Sequence, residues 1–143
     1  MSTRDEVLAA NDAFYAAFAA GDLQAMMGVW SRSGDCCCIH PGKEPLLGRP
    51  AVMESWRRIL AGLGATTARP RCTDARVHVF GETAFVTCIE WVMPVDSALS
   101  TGRLAATNVF VREEGRWRMV HHQAGRAPVS RDDPTVGLGP TKH

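Results

Sequence analysis

The sequence lacks the features that mark several large classes of protein. No uninterrupted apolar run approaches the roughly 18 residues of a membrane-spanning helix, so no membrane partner is expected. The N-terminus, MSTRDEVLAA, places Asp5 and Glu6 where a secretory signal would be basic and then apolar, which predicts an unexported, cytoplasmic protein. An excess of one charge is missing too. With a net charge of +1 and arginines scattered instead of aligned in a stripe, the chain has no basic field to attract nucleic acid. No CxxC pair occurs, and Cys38-Ile39-His40 has no second ligand pair, so no metal or other cofactor is expected. The five cysteines are odd in number and three are consecutive. In a strand, Cys36 and Cys38 point one way and Cys37 the other, which suits buried thiols in a reducing compartment better than a disulfide framework. There is also no internal repeat.

What is present is enough for one core. A chain of 143 residues with 45% hydrophobic and 22% charged residues fits a single domain, expected over residues 1–128, followed by an extended or mobile tail over 129–143 that has little to bury. Thr3-Arg4-Asp5-Glu6 matches a capping box. Val7, Leu8, Phe14, Tyr15 and Phe18 follow at helical spacing, predicting a first helix over about Asp5 to Ala20. Gly21 and Asp22 then end one helix and cap a second. Asp35 to His40 reads as a short strand closed by Pro41-Gly42, and Gly48-Arg49-Pro50 starts a third helix. From Arg71 the period changes to two. Strands are predicted over Arg71 to Phe80, Thr83 to Met93, Arg103 to Arg112 and Arg116 to Ala124, joined as an antiparallel meander. Helices first and strands afterwards make an α+β domain.

Several polar residues interrupt these apolar patterns. In the strand from Thr83, Glu90 shares one face with Ala84, Val86 and Cys88. Burial there would raise its pKa toward neutrality, unless an arginine pairs with it. Phe85, Ile89 and Trp91 take the other face, where a second copy of the chain would cover them, so a homodimer is expected. If Glu114-Gly115 is a two-residue turn, Asn108 lies opposite His121; a three-residue turn would substitute Val120 and His122. His40 ends its strand before Pro41, where pocket mouths form. Tyr15, Trp30 and Trp56 provide an aromatic wall beside Glu90, Asn108 and His121, as a small organic ligand requires.

Taken in order, the strand ending in His-Pro-Gly, the Gly-Arg-Pro helix start, RVHVFGETAFVTCIEWV and the ATNVF...EEGRWRMVHH hairpin resemble the nuclear transport factor 2-like superfamily. The likeness is greatest to its SnoaL-like bacterial members and to the association domain of calcium/calmodulin-dependent protein kinase II. It implies a cystatin-like cone, a strongly curved mixed or antiparallel sheet wrapped over N-terminal helices, with a pocket inside and an outer face used for assembly. Two functions follow as expectations. One is a stand-alone association-domain-like protein that homo-oligomerises and binds a small organic molecule. The other is an isomerase, cyclase, dehydratase or hydrolase with Glu90 or His121 as acid/base and Asn108 as an orienting or oxyanion-stabilising donor.

Overall fold

The structure, a computed structural model, describes residues 1–63, 69–91 and 102–127. Three helices, α1 (Thr3–Ala20), α2 (Leu23–Val29) and α3 (Arg49–Leu63), are combined with six strands. These are β1 (Cys37–Ile39), β2 (Leu46–Leu47), β3 (Arg71–Phe80), β4 (Thr83–Trp91), β5 (Arg103–Glu113) and β6 (Arg116–Arg126). Met93 and most of the loop after it, like the tail from 129, lie outside the described residues.

Local chemistry explains the ends of α1. Its capping box is one residue earlier than expected: Ser2 Oγ accepts the Asp5 N–H at 3.1 Å and the Asp5 carboxylate accepts the Ser2 N–H at 3.3 Å. Ser2-x-x-Asp5 and Thr3-x-x-Glu6 both match the motif, and the earlier pair leaves Glu6 free to accept the Trp117 indole N–H at 3.3 Å, tying α1 to β6. Gly21 turns the chain at φ +64°, and Asp22 caps α2 by accepting the Ala25 N–H at 3.0 Å. The Arg49 guanidinium at the start of α3 donates to the carbonyls of Met27, Trp30 and Ser31, satisfying the end of α2.

The sheet runs in the order β2-β1-β6-β5-β4-β3. The last four strands form the expected antiparallel meander, while β1 joins β6 in parallel and the two-residue β2, too short to show a period, pairs with β1. Helix α1 touches β3, β4 and β6, which are not all neighbours, so the sheet curls round the helix as a cone. Two slips in register accompany this curvature. One lies between Thr73 and Arg76, with Asp74 at φ 59°; the other leaves Val120 unpaired between Met119 and His121. The core between sheet and helices includes Val7, Phe14, Met26, Trp56, Val86, Phe110 and Met119.

Candidate functional site

The turn between β5 and β6 has the length that the sequence predicts. Glu113 pairs with Arg116, and Glu114 and Gly115 both adopt positive φ, the geometry of a two-residue hairpin turn that follows strand twist. Phe110 accordingly faces Met119. The unpaired Val120 then adds one residue to β6, so Val109 meets His121 and Asn108 meets His122. The expected place of His121 is therefore corrected. It pairs with Val109 and Cys37 and is half-buried, whereas His122 is 2% exposed on the inner face. A bulge has reversed the parity that the turn alone would set.

Inside the cone, α1 contributes Asn11 and Tyr15, β4 contributes Cys88 and Glu90, β5 contributes Asn108 and β6 contributes His122, all buried. Tyr15 donates its hydroxyl hydrogen to Glu90 Oε2 at 2.6 Å. Asn108 Nδ2 donates to Asn11 Oδ1 at 2.9 Å and to the Tyr15 hydroxyl at 3.2 Å, while Asn108 Oδ1 lies 2.6 Å from His122 Nδ1. With the amide so oriented, Oδ1 can only accept, so His122 carries its hydrogen on Nδ1 and presents the Nε2 lone pair toward Glu90 Oε2 at 3.6 Å. Asn11 completes the chain by donating to the Cys72 sulfur at 3.7 Å.

Burial sets the charges. It pushes the Glu90 carboxyl up to about 7, against the lowering effect of the Tyr15 hydrogen bond. Burial, and after it the nearby His40 and His121, hold the His122 imidazole down at about 3. The Glu90–His122 contact is therefore not an ion pair at neutral pH. The Tyr15 hydroxyl is pushed above its ordinary value by burial and by Glu90, so it remains a donor. Among the described residues no arginine meets Glu90; its partners in this cluster are a phenol and an imidazole.

Trp56 packs against Phe14, Phe18, His40 and His122, with ring centroids 5.0 to 5.9 Å away. Its buried indole N–H has no hydrogen-bond partner among the described residues. His40 stands behind it, 6.4 Å from the His122 ring, with Nε2 2.7 Å from Ser55 Oγ. Burial lowers its pKa. Trp30 is not brought to the cluster. It bridges to Met119 farther along β6, and no hydrogen bond or ring contact joins it to Glu90, Asn108 or His122. All five cysteines are free. Among the described residues no group of three or more His, Cys, Asp or Glu is arranged to hold a metal, and no helix is long and apolar enough to cross a membrane.

Sequence reasoning missed Asn11 and Ser55. For Asn11 a signal existed: positions 7, 11, 14, 15 and 18 form the apolar stripe of α1, and an amide within that stripe must be buried with a partner. Ser55 carries no comparable mark.

Comparison with known proteins agrees with this architecture. The sequence profile of the SnoaL-like domain matches residues 7–130. A solved structure of a candidate calcium/calmodulin-dependent protein kinase type II association domain from Thiobacillus denitrificans is 36% identical, with a TM-score of 0.72 over 85% of this chain and 94% of the other. A dehydratase candidate of the nuclear transport factor 2-like family from Streptomyces avermitilis is 32% identical, with a TM-score of 0.72 over 88% and 96% of the two chains. Among curated proteins, the F-box protein SKIP8 of Arabidopsis thaliana is 30% identical over 124 residues. That match takes in 86% of this chain and 50% of SKIP8, so the chain spans about half the length of this relative.

Proposed function

The chain belongs to the SnoaL-like domain family, and we propose that it is a homo-oligomer that takes a small, largely apolar organic molecule into its cone against Glu90, His122 and Trp56. The observation that carries this reading is the buried Glu90 carboxyl, 2.6 Å from the Tyr15 hydroxyl and 3.6 Å from an imidazole whose tautomer is fixed, a burial that raises its pKa toward 7. Ionisable groups so displaced are concentrated at functional sites. The buried, unspent N–H of Trp56 adds a donor for a ligand oxygen beside the same imidazole. Asn108 spends both amide hydrogens on Asn11 and Tyr15, so its role is to orient His122.

A second reading is favoured by the same carboxyl. A group near pKa 7 is available at neutral pH both as acid and as base, which suits proton abstraction or dehydration of a small substrate. In that chemistry the Glu90 carboxylate takes a proton from the substrate carbon while the Tyr15 hydroxyl donates to it. In a dehydration the protonated Glu90 returns that proton to the departing hydroxyl group, which leaves as water as the C–O bond breaks and the C=C bond forms. The two candidate relatives, one an association domain and one a dehydratase, span this choice.

One experiment separates binding from turnover. Native mass spectrometry of the purified protein identifies retained organic molecules, and each is then incubated with wild type and Glu90→Gln. Recovery unchanged with wild type, with weaker retention by Glu90→Gln, supports binding. Conversion that Glu90→Gln abolishes supports catalysis. Retention and conversion independent of Glu90 would contradict both.

A further inference from the structure

A cleft lies outside the buried cluster, between α3 and the chain from His40 to Leu46, with a volume of about 660 Å3. Leu46, Ala51 and Ile59 give it apolar walls. Ser55 and His40 reach it from opposite sides, and their side chains meet at 2.7 Å between Oγ and Nε2. The spare valence of this pair depends on the tautomer, because the Cys38 sulfur also lies 4.0 Å from Nδ1 and 3.6 Å from Nε2. If Nε2 accepts the serine proton, Nδ1 carries an N–H with the Cys38 sulfur in reach; if Nε2 donates to the serine oxygen, the serine hydroxyl hydrogen is released for another acceptor.

The charges round the cleft discriminate among ligands. Lys43 and Arg58 are matched by Glu44 and Glu54, and Glu54 already holds Arg58 at 3.0 Å. The four charges that line the cleft are thus equal in number and opposite in sign, while Glu54 is also shared with the neighbouring Arg57, which does not line it. His40 is partly buried, and burial lowers its pKa, so it too is neutral near pH 7. The volume lies within the roughly 300 to 1,000 Å3 range of small-molecule pockets.

We propose that this cleft is a second small-molecule site, taking a neutral, mostly apolar molecule whose single hydroxyl or carbonyl group hydrogen-bonds to the Ser55–His40 pair. The proposal does not depend on occupancy of the cone. The His40 ring stands between the two places, against Trp56 at 5.2 Å and His122 at 6.4 Å.

The test uses 1-naphthol, a neutral aromatic alcohol, titrated into the isotopically labelled full chain while backbone amide shifts are followed. Saturable shifts centred on residues 40–46 and 51–59 are expected. Ser55→Ala should weaken binding by about 2- to 10-fold, the value of one neutral hydrogen bond. Ala51→Trp, an exposed helix position that lines the cleft, should abolish binding without lowering the unfolding temperature. If that variant does not fold, Ile59→Glu serves in its place and should also abolish binding. Absence of saturable shifts would overturn the proposal. So would shifts centred on Tyr15, Cys88 and Asn108, or blocked variants that bind as wild type does.

Discussion

Glu90 and His122 meet over the top of Asn108, with Oε2 and Nε2 3.6 Å apart, although β5 lies between the strands that carry them. Each is only 2% exposed. Curvature brings these side chains together, and their burial decides which of them holds a proton.

That arrangement makes a pH prediction whose sign can be worked out. The folded Glu90 pKa stands above its ordinary 4.5, at about 7, so its contribution is full below 4.5 and is lost as pH rises to 7. The folded His122 pKa stands below its ordinary 6.5, at about 3, so its contribution is full above 6.5 and is lost as pH falls to 3. Between 4.5 and 6.5 the unfolded chain holds one proton on His122 and the folded chain holds one on Glu90, so the two slopes cancel. Relative to wild type, Glu90→Gln should lose stability as pH falls from 7 to 4.5, by at most about 1.4 kcal/mol per pH unit. Relative to wild type, His122→Gln should gain stability as pH falls from 6.5 toward 3. Denaturant unfolding across this range measures both differences; profiles parallel to wild type would contradict the assignment.

Asn108→Ala removes the hub of the network. Asn11, Tyr15 and His122 each lose a partner in a buried place, and a cost of about 1 to 3 kcal/mol is expected. The imidazole should also lose its fixed tautomer, which nitrogen NMR of the His122 ring detects. A variant as stable as wild type, with Nδ1 still protonated, would show that Asn108 does not orient His122.

Much of the fold is legible in the sequence, and the misplaced part has a mechanical cause. Strand β3 begins and ends at Arg71 and Phe80 as its alternation predicts, and Glu114-Gly115 is the tight turn that its composition suggests. Glu90 is placed on the inner face by its small apolar neighbours Ala84, Val86 and Cys88, and all four are buried. His122 and not His121 takes the inner face because of the bulge at Val120, which accompanies the bending of the sheet round α1 and leaves no mark in a run of apolar residues. Trp30 has the aromatic character of a pocket wall but is spent on bridging the end of α2 to β6. Ser55 becomes interesting only once His40 is folded beside it.

The outer sheet face supplies a prediction about assembly. His78 and Phe80 stack on Phe85 with centroids 4.5 and 5.9 Å away, and Phe80 is 67% exposed. Trp91, by contrast, is partly occupied within its own chain, donating to Thr73 Oγ1 at 2.9 Å beneath the Arg71 guanidinium. Phe85→Glu is therefore the sharper probe. Sedimentation should show a homodimer for wild type at micromolar concentration and a monomer for Phe85→Glu, with the Glu90-dependent pH response of unfolding retained. A monomeric wild type would contradict assembly through this face.

The most direct test of the central claim is a carbon NMR titration of the glutamate side-chain carboxyls, with the His122 ring nitrogens followed in the same samples. The account predicts that one glutamate, identified by its loss in Glu90→Gln, titrates with a midpoint near 7 while His122 stays neutral down to about pH 4. A Glu90 midpoint near 4.5, or a His122 ring that protonates near 6.5, would contradict it.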